Sequence, residues 1–376
     1  MSMKSNIALA SAALGAFALV AAPGPSFGAD DNANFYKTKG LRMVVGSGAG
    51  GGYDTYTRAF TRHYGKFLPG KPRIVVQNMP GASGLLATNY AYNKAPRDGS
   101  WAMATYNALI DENLLGNRKA KFEIPKFSWI GSIGKTHHLC VMWKGRNNVK
   151  TIKDLIGKEA TVSATGRSGN SATVPLLLNQ TVGTKFKVIA GYSTTGTRLA
   201  LERGEIDAIC GLGYSTLQAS NPDWFTKDKI KVIAQIALTR HPLYPDVPNA
   251  MDLVSAQDKK VYEFFGIIQE MGRPYIAPPG IPADKLKVLR TAFNQTMKDK
   301  AFLAEMKKLR LSVDPMTGEE MVASIKKLYA SDQTTLNRVA KLLGVAKAER
   351  VLACKKIAKD PSICRKAKKK KKKKSS

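Results

Sequence analysis

Gly46, Gly48 and Gly51 stand at the spacing G-x-G-x-x-G, between an apolar pentapeptide (Leu41–Val45) and a helix-periodic stretch that begins at Tyr53. Strand, glycine loop and helix in that order form the dinucleotide-binding fingerprint, because open backbone N–H groups and a helix N-terminus together attract an anion. Nicotinamide chemistry also needs an acid about 20 residues on, at the end of the next strand, to hold the ribose hydroxyls. Here that strand ends Val75-Val76-Gln77-Asn78, without an acid. A nucleotide cofactor is therefore not expected, nor is any other. The anion nest itself remains: roughly half a positive charge at a helix start suits a carboxylate as well as a phosphate. Asp54 is suited to capping this helix and Arg58, one turn on, to pairing with Asp54. The pair reads equally as a structural brace and as ligand contacts.

Other chemistries find less support. His137-His138 is the only histidine pair, and neighbours on a strand face opposite ways, so the two do not chelate one ion. No C-x-x-C and no Cys/His cluster at zinc spacing occurs, so no metal site is expected. Neither Gly46-Ser47-Gly48 nor Gly166-Arg167-Ser168-Gly169 fits the G-x-S-x-G nucleophile elbow. With no acid/base constellation, the chain does not read as an enzyme. Cys140 and Cys210, on apolar strand-like segments, read as buried thiols, while Cys354 and Cys364 are close enough in sequence to bridge within the C-terminal tail.

The elements that must carry these residues alternate. After a polar lead-in (30–39), Leu41–Val45 reads as a strand, Tyr53–Phe67 as a helix, Arg73–Gln77 as a strand, Leu85–Asn93 as a helix and Trp101–Thr105 as a strand. The pattern restarts with strands at Leu139–Trp143 and Ala160–Ala164, the latter ending in Thr165-Gly166-Arg167-Ser168-Gly169-Asn170-Ser171. A helix over 172–181, a strand at Lys187–Ala190, a helix over 195–203 and strands at Ile206–Cys210 and Lys231–Ile236 follow. Residues 284–344 are helical by periodicity. The expected fold class is α/β, with mostly parallel sheets in two units and a ligand cleft at the carboxyl ends of the strands.

At 376 residues the chain has room for about two domains, and 44% hydrophobic with 23% charged residues is too apolar for disorder. The net charge of +31 is uneven. Of 59 basic and 28 acidic residues, 345–376 hold 14 and 2, and residues 1–29 hold one and none, leaving a body of +18. A body of this sign favours anionic partners. The seven lysines Lys368–Lys374 repel one another and should be disordered; they suit an anionic membrane or polysaccharide surface, and no specific nucleic acid is called for. Lys4, the uncharged apolar run Ile7–Ala22 and the breaker Pro23-Gly24-Pro25 have the layout of a secretory signal peptide, with cleavage expected near Gly28 or Ala29. The mature protein is then exported, to the periplasm.

Several motifs carry a resemblance. Gly50-Gly51-Gly52-Tyr53-Asp54-x3-Arg58 resembles the G-G-x-x-D-x3-R opening of the tripartite tricarboxylate transporter receptors, the Bug-type extracytoplasmic solute receptors. Val75 to Gly84 is similar to that family's V-x-N-x-P-G-A-x-G segment, and Ala95-Pro96-Arg97-Asp98-Gly99 to its A-x-P-D-G turn. Gly191-Tyr192 with Thr194 to Gly196, Gly204 to Asp207, Tyr244 to Pro248 and Ala277 to Pro282 resemble further segments in the family's order, over roughly 40–344.

The resemblance implies a two-domain, type II periplasmic-binding-protein (Venus-flytrap) fold that closes on a small carboxylate. It also implies delivery to the membrane permease subunits of a tripartite tricarboxylate transporter. Domain 1 is expected at 30–138 plus 266–344 and domain 2 at 139–265, with 1–29 a signal peptide and 345–376 a Lys-rich tail. Carried over, the ligand walls are Gly51, Gly52, Tyr53, Asp54, Ser83 and Gly84 on one side. On the other stand Thr165, Gly166, Ser168, Gly169, Asn170 and Ser171, with Tyr192 and Thr194. Arg167, a charged addition to the family pattern, reads either as a solvated loop residue or as a fork for a second carboxylate.

Overall fold

The computed structural model describes residues 29–146 and 148–344. The expected leader up to Phe27-Gly28, and the tail with Cys354, Cys364 and Lys368–Lys374, lie outside the described residues. Two sheets organise the chain. The first contains β1 (Leu41–Val45), β2 (Ile74–Asn78), β3 (Trp101–Ala104) and β4 (Ser128–Ser132). The second contains β5 (His138–Trp143), β6 (Glu159–Ala164), β7 (Lys185–Ala190), β8 (Ala208–Gly213) and β9 (Ile230–Ile236). The chain then returns to the first sheet with β10 (Pro274–Ala277) and β11 (Met316–Thr317), giving the orders β11-β4-β10-β3-β1-β2 and β7-β6-β8-β5-β9.

The pairings β1–β2, β1–β3, β6–β7 and β6–β8 are parallel, as strand–helix alternation dictates. The rest are antiparallel, so the expectation of mostly parallel sheets is corrected to mixed ones. The reason is topological. Strand β5 enters from the other sheet between β8 and β9, and β10 comes back between β3 and β4, neither through a same-sheet crossover helix.

The first half carries helices α1 (Ala29–Lys39), where a polar lead-in was expected, α2 (Gly52–Tyr64), α3 (Leu85–Asn93) and the short α4 (Glu112–Leu115). The second lobe adds α5 (Asn170–Thr181), α6 (Thr194–Arg203), α7 (Tyr214–Ser220), α8 (Pro222–Thr226) and α9 (Ala256–Glu270). The C-terminal part forms α10 (Ala283–Met297), α11 (Lys300–Lys308), α12 (Gly318–Tyr329) and α13 (Gln333–Leu342). Helix α2 buries Tyr53, Tyr56, Phe60 and Tyr64, spaced three to four apart on one face. Phe60 stacks on Tyr64 at 4.4 Å and meets Tyr275 of β10 at 4.8 Å and Phe293 of α10 at 5.7 Å. That aromatic cluster fixes the direction in which α2 leaves the glycine loop. None of the described helices is long and apolar enough to cross a membrane.

Two segments join the lobes, and they run side by side. On the first, between β4 and β5, the Ile133 N–H donates to Arg273 O (3.1 Å), just after α9, and the Thr136 N–H donates to Gln269 O (3.0 Å), in the last turn of α9. In the second lobe Cys140 and Cys210 face each other across the antiparallel β5–β8 pair, Cα atoms 4.0 Å apart, as a disulfide. This corrects the reading of both as buried thiols. Residue type and burial were right, but only the register of two strands 70 residues apart brings the sulfurs together.

Candidate functional site

Between the sheets lies a cavity. Of the residues expected at the site, Gly52 and Tyr53 line it from the first lobe, and Thr165, Asn170, Ser171 and Thr194 from the second. The wall is completed by Ser47 and Tyr106, by His138, Gly211 to Gly213 at the end of β8 and Thr216, and by Arg273. No acidic side chain is among these lining residues.

The other expected residues stand behind or beside the wall. Gly51 and Gly169 are the N-caps of α2 and α5, and neither helix has a side-chain cap. Ser193, Ser255, Asp299, Thr317 and Asp332 cap α6, α9, α11, α12 and α13 with their side chains, whereas α3, α4, α7, α8 and α10, like α2 and α5, have no side-chain cap. Two helices of 13 and 12 residues, one from each lobe, thus bring glycine-capped N-termini to one cavity. Each such end carries free N–H groups and about half a positive charge.

Ser83 and Gly84 belong to a strap that crosses the cleft. Its residues Gly81, Ala82, Ser83 and Gly84 all have positive φ (147°, 46°, 55° and 85°). Two of them are not glycine, and such a run is maintained only where its surroundings over-determine it. Here the surroundings are the opposite lobe: Ser83 Oγ lies 2.9 Å from Thr165 Oγ1. Gly166 and Gly169 allow the approach, since a Cβ on either would come within 2.9 or 2.6 Å of Ser83 Oγ. Tyr192, Ser168 and Arg167 are outside the cavity wall, and Arg167 is exposed.

Asp54 serves as the brace of the glycine loop. Its carboxylate accepts from the Gly50 N–H (2.9 Å), Arg58 Nε (2.9 Å) and Asn78 Nδ2 (2.8 Å), and the Asn78 amide also donates to Ser47 O (2.9 Å). Burial pushes the Asp54 pKa up, but the hydrogen bonds from Arg58, Asn78 and Gly50 outweigh it and hold the carboxyl below its ordinary value. A folded-state pKa that is depressed contributes stability above the unfolded value, near 3.9, and loses it as pH falls through the folded one. Asp54→Asn is therefore expected to cost about 1–3 kcal/mol at neutral pH, with the gap to the parent narrowing below about pH 4. Denaturant unfolding of both proteins at pH 7 and pH 3 checks this; a gap that widens in acid refutes it.

The sequence reading did not reach the wall's remaining polar groups. Behind the wall, Asn107 joins the lobes: its Oδ1 accepts from Asn170 Nδ2 (3.1 Å) and lies 3.0 Å from Tyr53 Oη, while its N–H donates to that Oη (3.1 Å). Arg273 Nη1 donates to Thr136 Oγ1 and Gly272 O (both 3.1 Å), and Nη2 donates to Thr216 Oγ1 (2.9 Å). Its guanidinium carbon lies 4.8 Å from the Tyr53 ring centre and 5.0 Å from that of Tyr56. His138 is buried, and burial, then the charges of Arg273 and His137, push its pKa down to about 3, so it stays neutral. His137, just before β5, packs instead on His241 at 5.2 Å. No group of three or more His, Cys, Asp and Glu among the described residues is placed to hold a metal ion.

No family model matches the chain. A UPF0065 protein of Bordetella bronchiseptica is 22% identical over 297 residues, 78% of this chain and 81% of that protein. A second UPF0065 protein, from Cupriavidus necator, is 23% identical over 357 residues, 92% and 98% of the two chains. Among solved structures, an R. palustris protein with adipate superposes with a TM-score of 0.65 at 17% identity, covering 81% of this chain and 97% of that one. The periplasmic binding protein BugD gives 0.63 at 21% identity over 81% and 97%. MatC from Rhodopseudomonas palustris with bound malate gives 0.62 at 19% over 81% and 98%. The chain has the two-domain fold of these periplasmic binding proteins.

Proposed function

We propose that this chain is an extracytoplasmic solute receptor of the Bug/TctC kind, which captures a small carboxylate between its lobes and hands it to a membrane transporter. The observation that carries the reading is the pair of glycine-capped helix N-termini, one from each lobe, at a single cavity without an acidic side chain. A carboxylate that spans them satisfies N–H groups of both lobes at once, so binding favours the closed arrangement. The domains of this reading are 30–138 with 266–344 and 139–265, a boundary that falls within α9. The partner is the permease of a tripartite tricarboxylate system, met in the periplasm after removal of the leader near Gly28 or Ala29. The reading is one of binding without turnover, and the relatives solved with adipate and malate support a carboxylate as the ligand class.

A thermal-shift screen of di- and tricarboxylates, amino acids and aromatic acids tests it. A true ligand at 100 times its Kd adds about 2.7 kcal/mol of stability. Silence across every carboxylate refutes the proposal, and a shift with NAD in its place returns the glycine loop to its nucleotide reading.

A further inference from the structure

Arg273 is 6% exposed, yet among the described residues it has no carboxylate partner; it is held by hydroxyls and a carbonyl only. Its Nε is buried without any acceptor. In the same wall, His138 Nδ1 is also buried without a partner. A buried, hydrogen-bonded charge with no counter-ion is costly, and it persists where something else neutralises it. The cavity is where that charge is accessible, and no lysine or acid lines it.

We propose that Arg273 is the ion-pairing anchor of this cavity and that it makes the receptor selective for dianions, with one carboxylate at the starts of α2 and α5 and a second on the guanidinium. The charge balance leads there. The two helix ends supply roughly half a unit each, and Arg273 supplies one, so about two negative charges neutralise the site. His138 adds no charge, and its unpartnered Nδ1 is left for a polar atom of the bound molecule. Thr136 and Thr216 orient the guanidinium from the first linking segment and from the second lobe, which leaves Nε as the donor still to be satisfied. Arg167, the arginine singled out in the sequence for this task, is exposed and away from the wall.

The inference rests on the receptor reading and is tested separately from it. Calorimetric titration of the full mature chain compares succinate and adipate with their monoamides, which keep length and one carboxylate but lose one charge. The dianions are expected to bind about 30-fold or more tightly than the monoamides. In Arg273→Gln that ratio should fall to near one, and Arg273→Lys should keep part of it. Equal binding of dianion and monoamide by the parent, or an undiminished ratio in a folded Arg273→Gln, overturns the assignment while leaving the receptor standing. If no carboxylate of either charge binds the parent, the receptor reading fails first. If Arg273→Gln does not fold, the ratio in the parent and in Arg273→Lys decides.

Discussion

Gly52→Ala is expected to stop the lobes from closing on a ligand and to weaken binding about 100-fold, with each lobe still folded. A Cβ at this position would stand 2.3 Å from Thr216 Oγ1 and 2.9 Å from its Cγ2, on the opposite lobe. Thr216 cannot simply turn away, because its hydroxyl accepts from Arg273 Nη2 and its side chain is buried. The added methyl is a wedge in a joint. Small-angle scattering should show that ligand no longer compacts the variant, and calorimetry should show the lost affinity. The pairing makes the cause testable: with Thr216→Ala added, the nearest remaining Thr216 atom is its Cβ, 3.1 Å away. Part of the compaction should then return, although the Arg273 hydrogen bond stays lost. A single variant that binds and compacts like the parent would show that the Gly52–Thr216 contact plays no part in closure.

Removing the disulfide is expected to have the second large effect. Cys140 and Cys210 are fully buried and close a loop across 70 residues of sequence. In the chain-entropy account, a crosslink over such a loop is worth about 4 kcal/mol. The Cys140→Ala/Cys210→Ala double variant should therefore lose stability on that scale in guanidinium unfolding, and the reduced parent should resemble it. Because β5 and β8 carry His138 and Gly213 to the cavity, the loss should fall on the second lobe's transition if the lobes unfold separately. A difference below about 1 kcal/mol between oxidised and reduced protein would contradict the account.

Much of this arrangement was legible where one local rule decides. The strand–glycine–helix succession around Gly46–Gly52 and Asp54 to Arg58 depends on residues within a dozen positions of one another, and the structure has the Asp54–Arg58 pair at 2.9 Å. The Thr165–Ser171 turn was read the same way, and Thr165, Asn170 and Ser171 reach the cavity. What escaped depends on topology. Arg273 precedes a four-residue strand, and nothing within its own segment tells that Thr136 and Thr216 converge on it. Asn107 sits in a short turn with no periodicity, yet it touches both Tyr53 and Asn170. The cysteine pairing was missed for the same reason, since β6 and β7 intervene between β5 and β8 in sequence. Arg167 drew attention because it was close to a motif. Closeness in sequence was the weaker guide to which arginine enters the wall.

The two linking segments have a mechanical consequence. They lie against each other through the Ile133–Arg273 and Thr136–Gln269 hydrogen bonds, so they form a fulcrum, and Arg273 sits on it. If the arms swing about this pair of segments, a group on it moves less than one farther out on either arm. On the proposed receptor reading, the charge of the ligand would then be read where the molecule is stillest. On the same reading, a docking partner that must tell the loaded state from the empty one has most to gain by gripping the rims of both arms.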